Sequence, residues 1–211
     1  MFEIKPVPAD KALTWTVKVD GKEISPRLLE INSDYGNFKL GWRPEGYHGW
    51  AFKPGKGGAM TLPYSRTPQG DLIVALVHEH RPNMGARKVY CPLGGFVEVG
   101  EAADVAAARE SMEEGGIDTK GATKLPGVDM NTDRMYYIME EDDTWGMQAY
   151  GLQVPFERLE PAGDDLWRPA AGLISHKKES DLYFMPWRTA IVRSADTLAL
   201  AGIARLLSEV L

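Results

Sequence analysis

The order of apolar and polar positions divides the chain into a strand-rich first quarter, a mixed centre and a helical end. Leu13-Thr14-Trp15-Thr16-Val17-Lys18-Val19 carries β-branched and aromatic residues with partial alternation, the pattern of a half-buried strand. Asp20-Gly21 follows, a two-residue hairpin signal, and Lys22-Glu23-Ile24 supplies the return. A second strand pair is predicted over 28–32 and 37–42, around Asp34-Tyr35-Gly36. The run Lys53-Pro54-Gly55-Lys56-Gly57-Gly58 then breaks the pattern. A boundary between a β-rich domain of residues 1–56 and a larger domain of residues 57–211 is expected there.

Beyond that point, 59–63 and 72–78 read as core strands on either side of a turn at Gln69-Gly70-Asp71, and 89–93 reads as a further short strand. Residues 101–114 are predicted as a helix, favoured by Ala102, Ala103, Ala106, Ala107 and Ala108 and stopped by Gly115-Gly116. Strands are predicted at 134–139 and 147–154, flanking the acidic turn Glu140-Glu141-Asp142-Asp143, and a long loop over 161–181. A final helix is predicted from about 195 to 210. Leu198, Ile203, Leu206, Leu207 and Val210 give its apolar stripe, and Ser194 or Asp196 is the cap. Strands interrupted by one helix and closed by another indicate an α/β sandwich.

Composition narrows the class. A chain of 211 residues holds one large domain, or one domain and a small appendage. Hydrophobic residues at 44% and charged residues at 26% are ordinary for a soluble globular protein. A net charge of -6 argues against duplex binding as the main task, so no nucleic-acid partner is expected, though a local basic pocket for a diphosphate stays open. Cys91 is the single cysteine, so no intrachain disulfide forms; it reads as a buried small hydrophobe and points to a reduced, cytoplasmic setting. The opening residues MFEIKPVPADK show no basic region followed by an apolar run, so no signal peptide is expected. No apolar segment approaches the roughly 18 residues a membrane span needs, so no membrane partner is expected either.

The densest chemistry lies at 95–117, GFVEVGEAADVAAARESMEEGGI. Glu110, Glu113 and Glu114 share one face of the predicted helix. Carboxylates so crowded repel unless a cation neutralises them, and hard divalent ions take such oxygens together with substrate phosphates. A Mg²⁺ site, with Mn²⁺ as the alternative, is therefore expected; on spacing alone the competing reading is a solvated acidic face. Arg109 can pair with Glu113 at i+4 or reach Glu101, holding the acidic face in register. Glu101 lies at the predicted helix start, where the dipole favours negative charge, and takes an accessory metal or structural role.

Gly95, Glu101, Arg109, Glu110, Glu113, Glu114 and Gly116 stand at the spacing G-x5-E-x7-R-E-U-x-E-E-x-G-U, where U is apolar. This resembles the Nudix box at all seven fixed residues. Ser111 departs from it, standing where the family usually has an aliphatic residue and weakening the expected helix packing. The resemblance implies a Nudix α/β/α sandwich over about residues 57–211 and metal-assisted cleavage of a diphosphate. It also implies metal ligation by the carbonyl of Gly94 with Glu110, Glu113 and Glu114. A domain that only binds nucleotides is the non-catalytic rival; such domains often lose box glutamates, and none is lost here.

The flanks resemble the ADP-ribose pyrophosphatase branch: Gly57-Gly58-Ala59-Met60-Thr61-Leu62-Pro63, then Leu72–Val77 running into His78-Glu79-His80-Arg81-Pro82, then Pro92-Leu93-Gly94-Gly95. That likeness implies a small-molecule nucleotide substrate and an N-terminal β-rich domain exchanged across a homodimer. It implies adenine held by aromatic residues of the first domain, with Trp15, Trp42 and Trp50 as candidates; core or dimer packing is the competing role of each. Arg81 is a candidate for the diphosphate or terminal ribose, against a plain surface salt bridge. The general base is expected on a late loop, with Glu179 nearest the place and Glu157, Glu160 and Asp181 as rivals. His78 and His80 share a strand face and are assigned to packing. Nucleoside diphosphate sugars, dinucleoside polyphosphates and nucleoside triphosphates remain alternative substrates, the N-terminal appendage arguing against the smallest triphosphate-cleaving members.

Overall fold

The structure is a computed structural model. It describes residues 3–6, 17–19, 22–24, 28–33, 36–42, 48–54, 57–80, 87–126, 134–135, 147–174 and 180–211, with backbone alone up to residue 54 and at 134–135. The chain divides into two compact units, Met1–Lys56 with Ile138–Trp145, and Gly57–Tyr137 with Gly146–Leu211.

In the first unit the strands are β1 (Glu3–Pro6), β2 (Val17–Val19), β3 (Lys22–Ile24), β4 (Leu28–Ser33), β5 (Gly36–Trp42) and β6 (His48–Pro54). β2 and β3 pair antiparallel with Val19 opposite Lys22, the register that a two-residue connection demands. β1, β4, β5 and β6 form an antiparallel sheet in that order, with Ser33 opposite Gly36 where the second hairpin was predicted. Trp42 lies opposite His48, and Trp50 opposite Leu40. Trp15 is outside the described residues.

The second unit is built on β7 (Gly58–Arg66), β8 (Leu72–His80), β9 (Lys88–Cys91) and β10 (Leu93–Phe96), followed by α1 (Ala103–Gly115). Then come β11 (Thr123–Lys124), β12 (Arg134–Met135), β13 (Met147–Gln153), β14 (Leu159–Gly163), β15 (Leu166–Pro169), β16 (Asp181–Pro186), α2 (Trp187–Arg193) and α3 (Thr197–Val210). The sheet runs β11-β13-β7-β8-β16-β15-β14, with β7 and β13 parallel and the other neighbours antiparallel.

β7 and β8 pair only from Tyr64–Val74 to Arg66–Leu72 and then part. The next segment fills the fork. Its first half, β9, pairs with β8, and its second half, β10, pairs with β7. The change of partner falls at Pro92, which has no N–H to give to a ladder. The single strand predicted over 89–93 is therefore two strands on different partners, and the fork aims the second of them into α1.

Both faces of the sheet are covered, which explains why Leu72–Val77 reads as an unbroken apolar run. Leu72, Val74 and Leu76 join Met60, Leu62, Ala190, Ala199, Ile203 and Leu206 in a core beneath α2 and α3. Ile73, Ala75 and Val77 join Leu93, Ile117, Leu182 and Phe184 on the opposite face. There α1 lies over Ala59 and Tyr150 through Ala106 and Ala107. Gly202 lets α3 sit directly on β7, since a Cβ there would overlap Met60 and Leu62. These layers make an α/β/α sandwich.

Three details differ from the expected pattern. The final helix starts at Thr197, not near 195, because the Oδ1 of Asp196 accepts the amides of Leu198 and Ala199 at 2.7 and 3.3 Å. The seven-residue α2 precedes it, too short to show a helical period. Part of the loop predicted over 161–181 is a hairpin, β14 with β15, whose tip takes positive φ at Gly163, Asp164 and Asp165. Among the described residues no helix is long and apolar enough to cross a membrane, and Cys91 is a buried thiol.

Candidate active site

The approach to α1 is a tight turn. Glu101 N–H donates to the Glu98 carbonyl at 3.0 Å, and Gly100 takes φ +81, a conformation for which glycine is suited. The helix begins at Ala103, so Glu101 lies in the turn and not, as expected, at the helix start. Its carboxylate serves the turn instead. Oε2 accepts the Glu98 amide at 2.8 Å, and Oε1 and Oε2 take the Arg109 Nε and Nη2 at 3.0 and 3.1 Å.

Arg109 joins the parts. Besides holding Glu101 with two bonds, it donates from Nη1 to Glu110 Oε1 at 2.7 Å and to Glu113 Oε2 at 3.4 Å. From Nη2 it also reaches the Phe96 carbonyl at 3.1 Å. The hydrogen bond with Glu101 holds the guanidinium protonated well above its ordinary range, with Glu110 adding to it. The same bond, and then the Glu98 amide, lowers the Glu101 carboxyl below the usual carboxylate value.

α1 reaches the sheet on small residues. Ala107, Ser111 and Gly115 recur at four-residue spacing and are buried. Ser111, fully buried, has an Oγ with no hydrogen-bond partner. At Gly115 a Cβ would press on Leu93. Gly116 ends the helix in the left-handed region, at φ 67.

This close approach sets two carboxylates on the glycine pair of β10. Glu114 Oε2 accepts the Gly94 amide at 2.9 Å. The Glu110 carboxylate lies in the space a Cβ on Gly95 would occupy. Gly94 itself has φ +153, and a Cβ there would meet Ala59 O and the Met60 Cα in β7. Glu110, Glu114, Gly94 and Arg109 therefore meet on the β10 side of α1, and Glu113, more exposed, joins them through Arg109.

Among the described residues no group of three or more His, Cys, Asp and Glu side chains encloses a metal position. The donors are nonetheless all oxygens: three carboxylates along one helix and the Gly94 backbone beside them. That chemistry suits a hard divalent ion and not a soft one. Gly95 leaves the room a ligating carboxylate needs, since a side chain there would displace Glu110, while Gly94 lets the strand lie close against β7.

The other sequence candidates fall elsewhere. Arg81 and Glu179 lie outside the described residues. Glu157 lines a cleft with Ser65, Arg66 and Gln153 at the end of β7 opposite Gly58, and so away from β10. Glu160 pairs with Arg168 at 2.7 Å on the outermost strands. Asp181 stands opposite His78 on β16. His78 stacks on Tyr90 with ring centroids 4.4 Å apart, in keeping with a packing role.

A family model described as the NUDIX domain matches residues 61–173, just over half of the chain, and the chain belongs to the Nudix hydrolase family. Solved structures resemble the chain at low identity. A Nudix hydrolase from M. smegmatis, RenU, is 16% identical over 81% of this chain and 94% of its own, with a TM-score of 0.50. An ADP compounds hydrolase is 11% identical over 84% of this chain and 88% of its own, with a TM-score of 0.49. The C. elegans Ap4A hydrolase, in a binary complex, is 16% identical over 73% and 96%, with a TM-score of 0.46. Comparison with curated proteins gives no match.

One participant was not singled out from sequence. Glu79 stands in the run His78-Glu79-His80-Arg81-Pro82, and its Oε2 accepts the Ser180 hydroxyl at 3.2 Å close to the end of α1. The available signal was the alternation Ile73, Ala75, Val77, Glu79: three core residues and then a carboxylate on the same strand face.

Proposed function

We propose that the protein is a Mg²⁺-dependent pyrophosphohydrolase that cleaves a nucleoside diphosphate linked to a second group. ADP-ribose is the leading substrate, giving AMP and ribose 5-phosphate. The observation that carries the reading is the set of three box glutamates beside Gly94-Gly95, with Arg109 bound to Glu101, Glu110 and Glu113. Glu110, Glu113, Glu114 and the Gly94 carbonyl would hold the metal, with Glu101 supporting them through Arg109. When bound, the ion supplies charge neutralisation for the diphosphate and acidifies a water. Glu113 and Glu114 are the carboxylates assigned to catalysis and Glu179 is the assigned base.

The choice of ADP-ribose rests on the flanking runs of β7, β8 and β10, which resemble that branch. Residues 1–56 serve as a substrate-binding and dimerisation domain, with Trp15, Trp42 and Trp50 offered to adenine and Arg81 to the diphosphate or terminal ribose. A solution mass near twice 23.4 kDa supports the dimer, and a clean monomer removes it.

Phosphatase-coupled phosphate release tests the reaction on ADP-ribose, ADP-glucose and diadenosine tetraphosphate, and pyrophosphate release without phosphatase tests it on ATP, each with and without Mg²⁺. The expected result is Mg²⁺-dependent release, fastest from ADP-ribose, with Glu114→Gln losing at least about a hundredfold in kcat while keeping its melting temperature. Release by Glu114→Gln above a tenth of the wild-type rate would sink the metal assignment. No release from any substrate would favour a nucleotide-binding module.

A further inference from the structure

Ser180 is held at two points. Its amide donates to the Glu114 carbonyl at 3.1 Å, and its hydroxyl donates to Glu79 Oε2 at 3.2 Å. The first bond satisfies one of the carbonyls that a helix leaves without an intrahelical partner in its last turn. It does so at the residue whose side chain accepts the Gly94 amide. The second bond anchors Ser180 to β8. Glu79 follows Ile73, Ala75 and Val77 on the face that packs against Leu93 and Leu182, the two side chains that meet Gly115. A carboxylate at the end of a buried apolar row is costly unless it is hydrogen-bonded, which makes it a poor choice for simple packing.

We propose that Glu79 is a positioning residue for the box. Through Ser180 it ties β8 and the start of β16 to the last turn of α1, and so fixes Glu114 relative to Gly94. The tie spans three elements far apart in sequence, and each bond depends on the other. Without Glu79 the Ser180 hydroxyl loses its anchor, and the Ser180 amide is then free to leave the Glu114 carbonyl. The catalytic consequence rests on the hydrolase reading above, whereas the tie stands on geometry alone.

Amide hydrogen exchange of the full chain, read by NMR, tests the tie in Glu79→Ala, Glu79→Gln and Ser180→Ala. In Glu79→Ala the Ser180 amide should lose about tenfold in protection, the scale of one charge-assisted hydrogen bond, while Ala107 in α1 keeps its own. Glu79→Gln, whose amide oxygen can still accept from Ser180, should restore most of it. With the Mg²⁺ substrate panel, Glu79→Ala should lose about tenfold in kcat with KM within about threefold, and the double variant should be no worse than either single one. Unchanged Ser180 protection in Glu79→Ala overturns the tie. Additive losses, or a Glu79→Gln variant as impaired as Glu79→Ala, overturn the positioning role, as does an intact kcat in a variant whose Ser180 amide has lost protection. A wild-type protein that cleaves nothing fails the hydrolase reading instead, and the exchange data still decide the tie.

Discussion

The Glu110 carboxylate occupies the volume that a Cβ on Gly95 would fill. The first glycine of the box and its first helical glutamate are thus a steric pair: one side chain is present because the other is missing.

Gly95→Ala should therefore act on the site and not on the fold. Gly95 does not take a positive φ, and the group in the way is the far end of a flexible side chain. A displaced ligand of about an ångström is expected to lower kcat by about 10- to 100-fold, with a melting temperature close to wild type. Gly94→Ala should do the reverse. There the obstruction is the backbone of β7 and φ is +153, so a loss of about 2 kcal/mol or more is expected in urea unfolding. Equal destabilisation by both substitutions would contradict this division.

Arg109→Lys keeps the charge but not the geometry. One ammonium cannot hold both oxygens of Glu101 while also reaching Glu110 and Glu113. A loss on the order of 1 kcal/mol is expected, and a double-mutant cycle with Glu101→Gln should return a coupling of similar size. Zero coupling would mean that the pair contributes nothing.

Ser111→Ala should be neutral or stabilising, by up to about 1 kcal/mol. It removes a buried hydroxyl with no partner and substitutes a better helix former. A clear drop in the urea midpoint would show that the hydroxyl is satisfied in solution.

Stability should fall on mild acidification through His78. Burial lowers its pKa below 6.5, helped by the nearby Lys88 and opposed by Asp181. The folded state thus binds fewer protons than the unfolded state over the interval below 6.5, so stability there rises with pH. The contribution is complete above 6.5 and is lost as pH falls through the lower, folded-state value. Urea midpoints at pH 5 and pH 7.5 should differ less in His78→Phe, which can keep a stack on Tyr90. An unchanged difference would assign the effect to other groups.

Much of the second unit was legible beforehand because local signals carried it. β7 and β8 announced themselves as apolar runs, β13 as a strand beside an acidic turn, α1 as alanines closed by a glycine pair, and α3 as an apolar stripe with a capping aspartate. The signals failed where an element is short or where its role depends on a distant partner. α2 has seven residues. The hairpin of β14 and β15 is carried by turn backbone at Gly163–Asp165 in a stretch too polar to read as strand. Glu101 looked like a helix-start residue because it precedes the alanines, but the turn at Gly100 sets it outside the helix.

The sequence by itself determined the family and the identity of the acidic set, because spacing along one helix decides which carboxylates share a face and seven matched positions decide the box. Tertiary structure decided what those groups touch. Pro92 moves the strand from β8 to β7, small residues bring α1 down onto β10, and only then do Gly94 and Gly95 meet Glu114 and Glu110. Ser180 and Glu79, 101 positions apart, meet for the same reason. A pairing across such a span follows from how sheet and helices close on one core, and no local pattern of side chains encodes it.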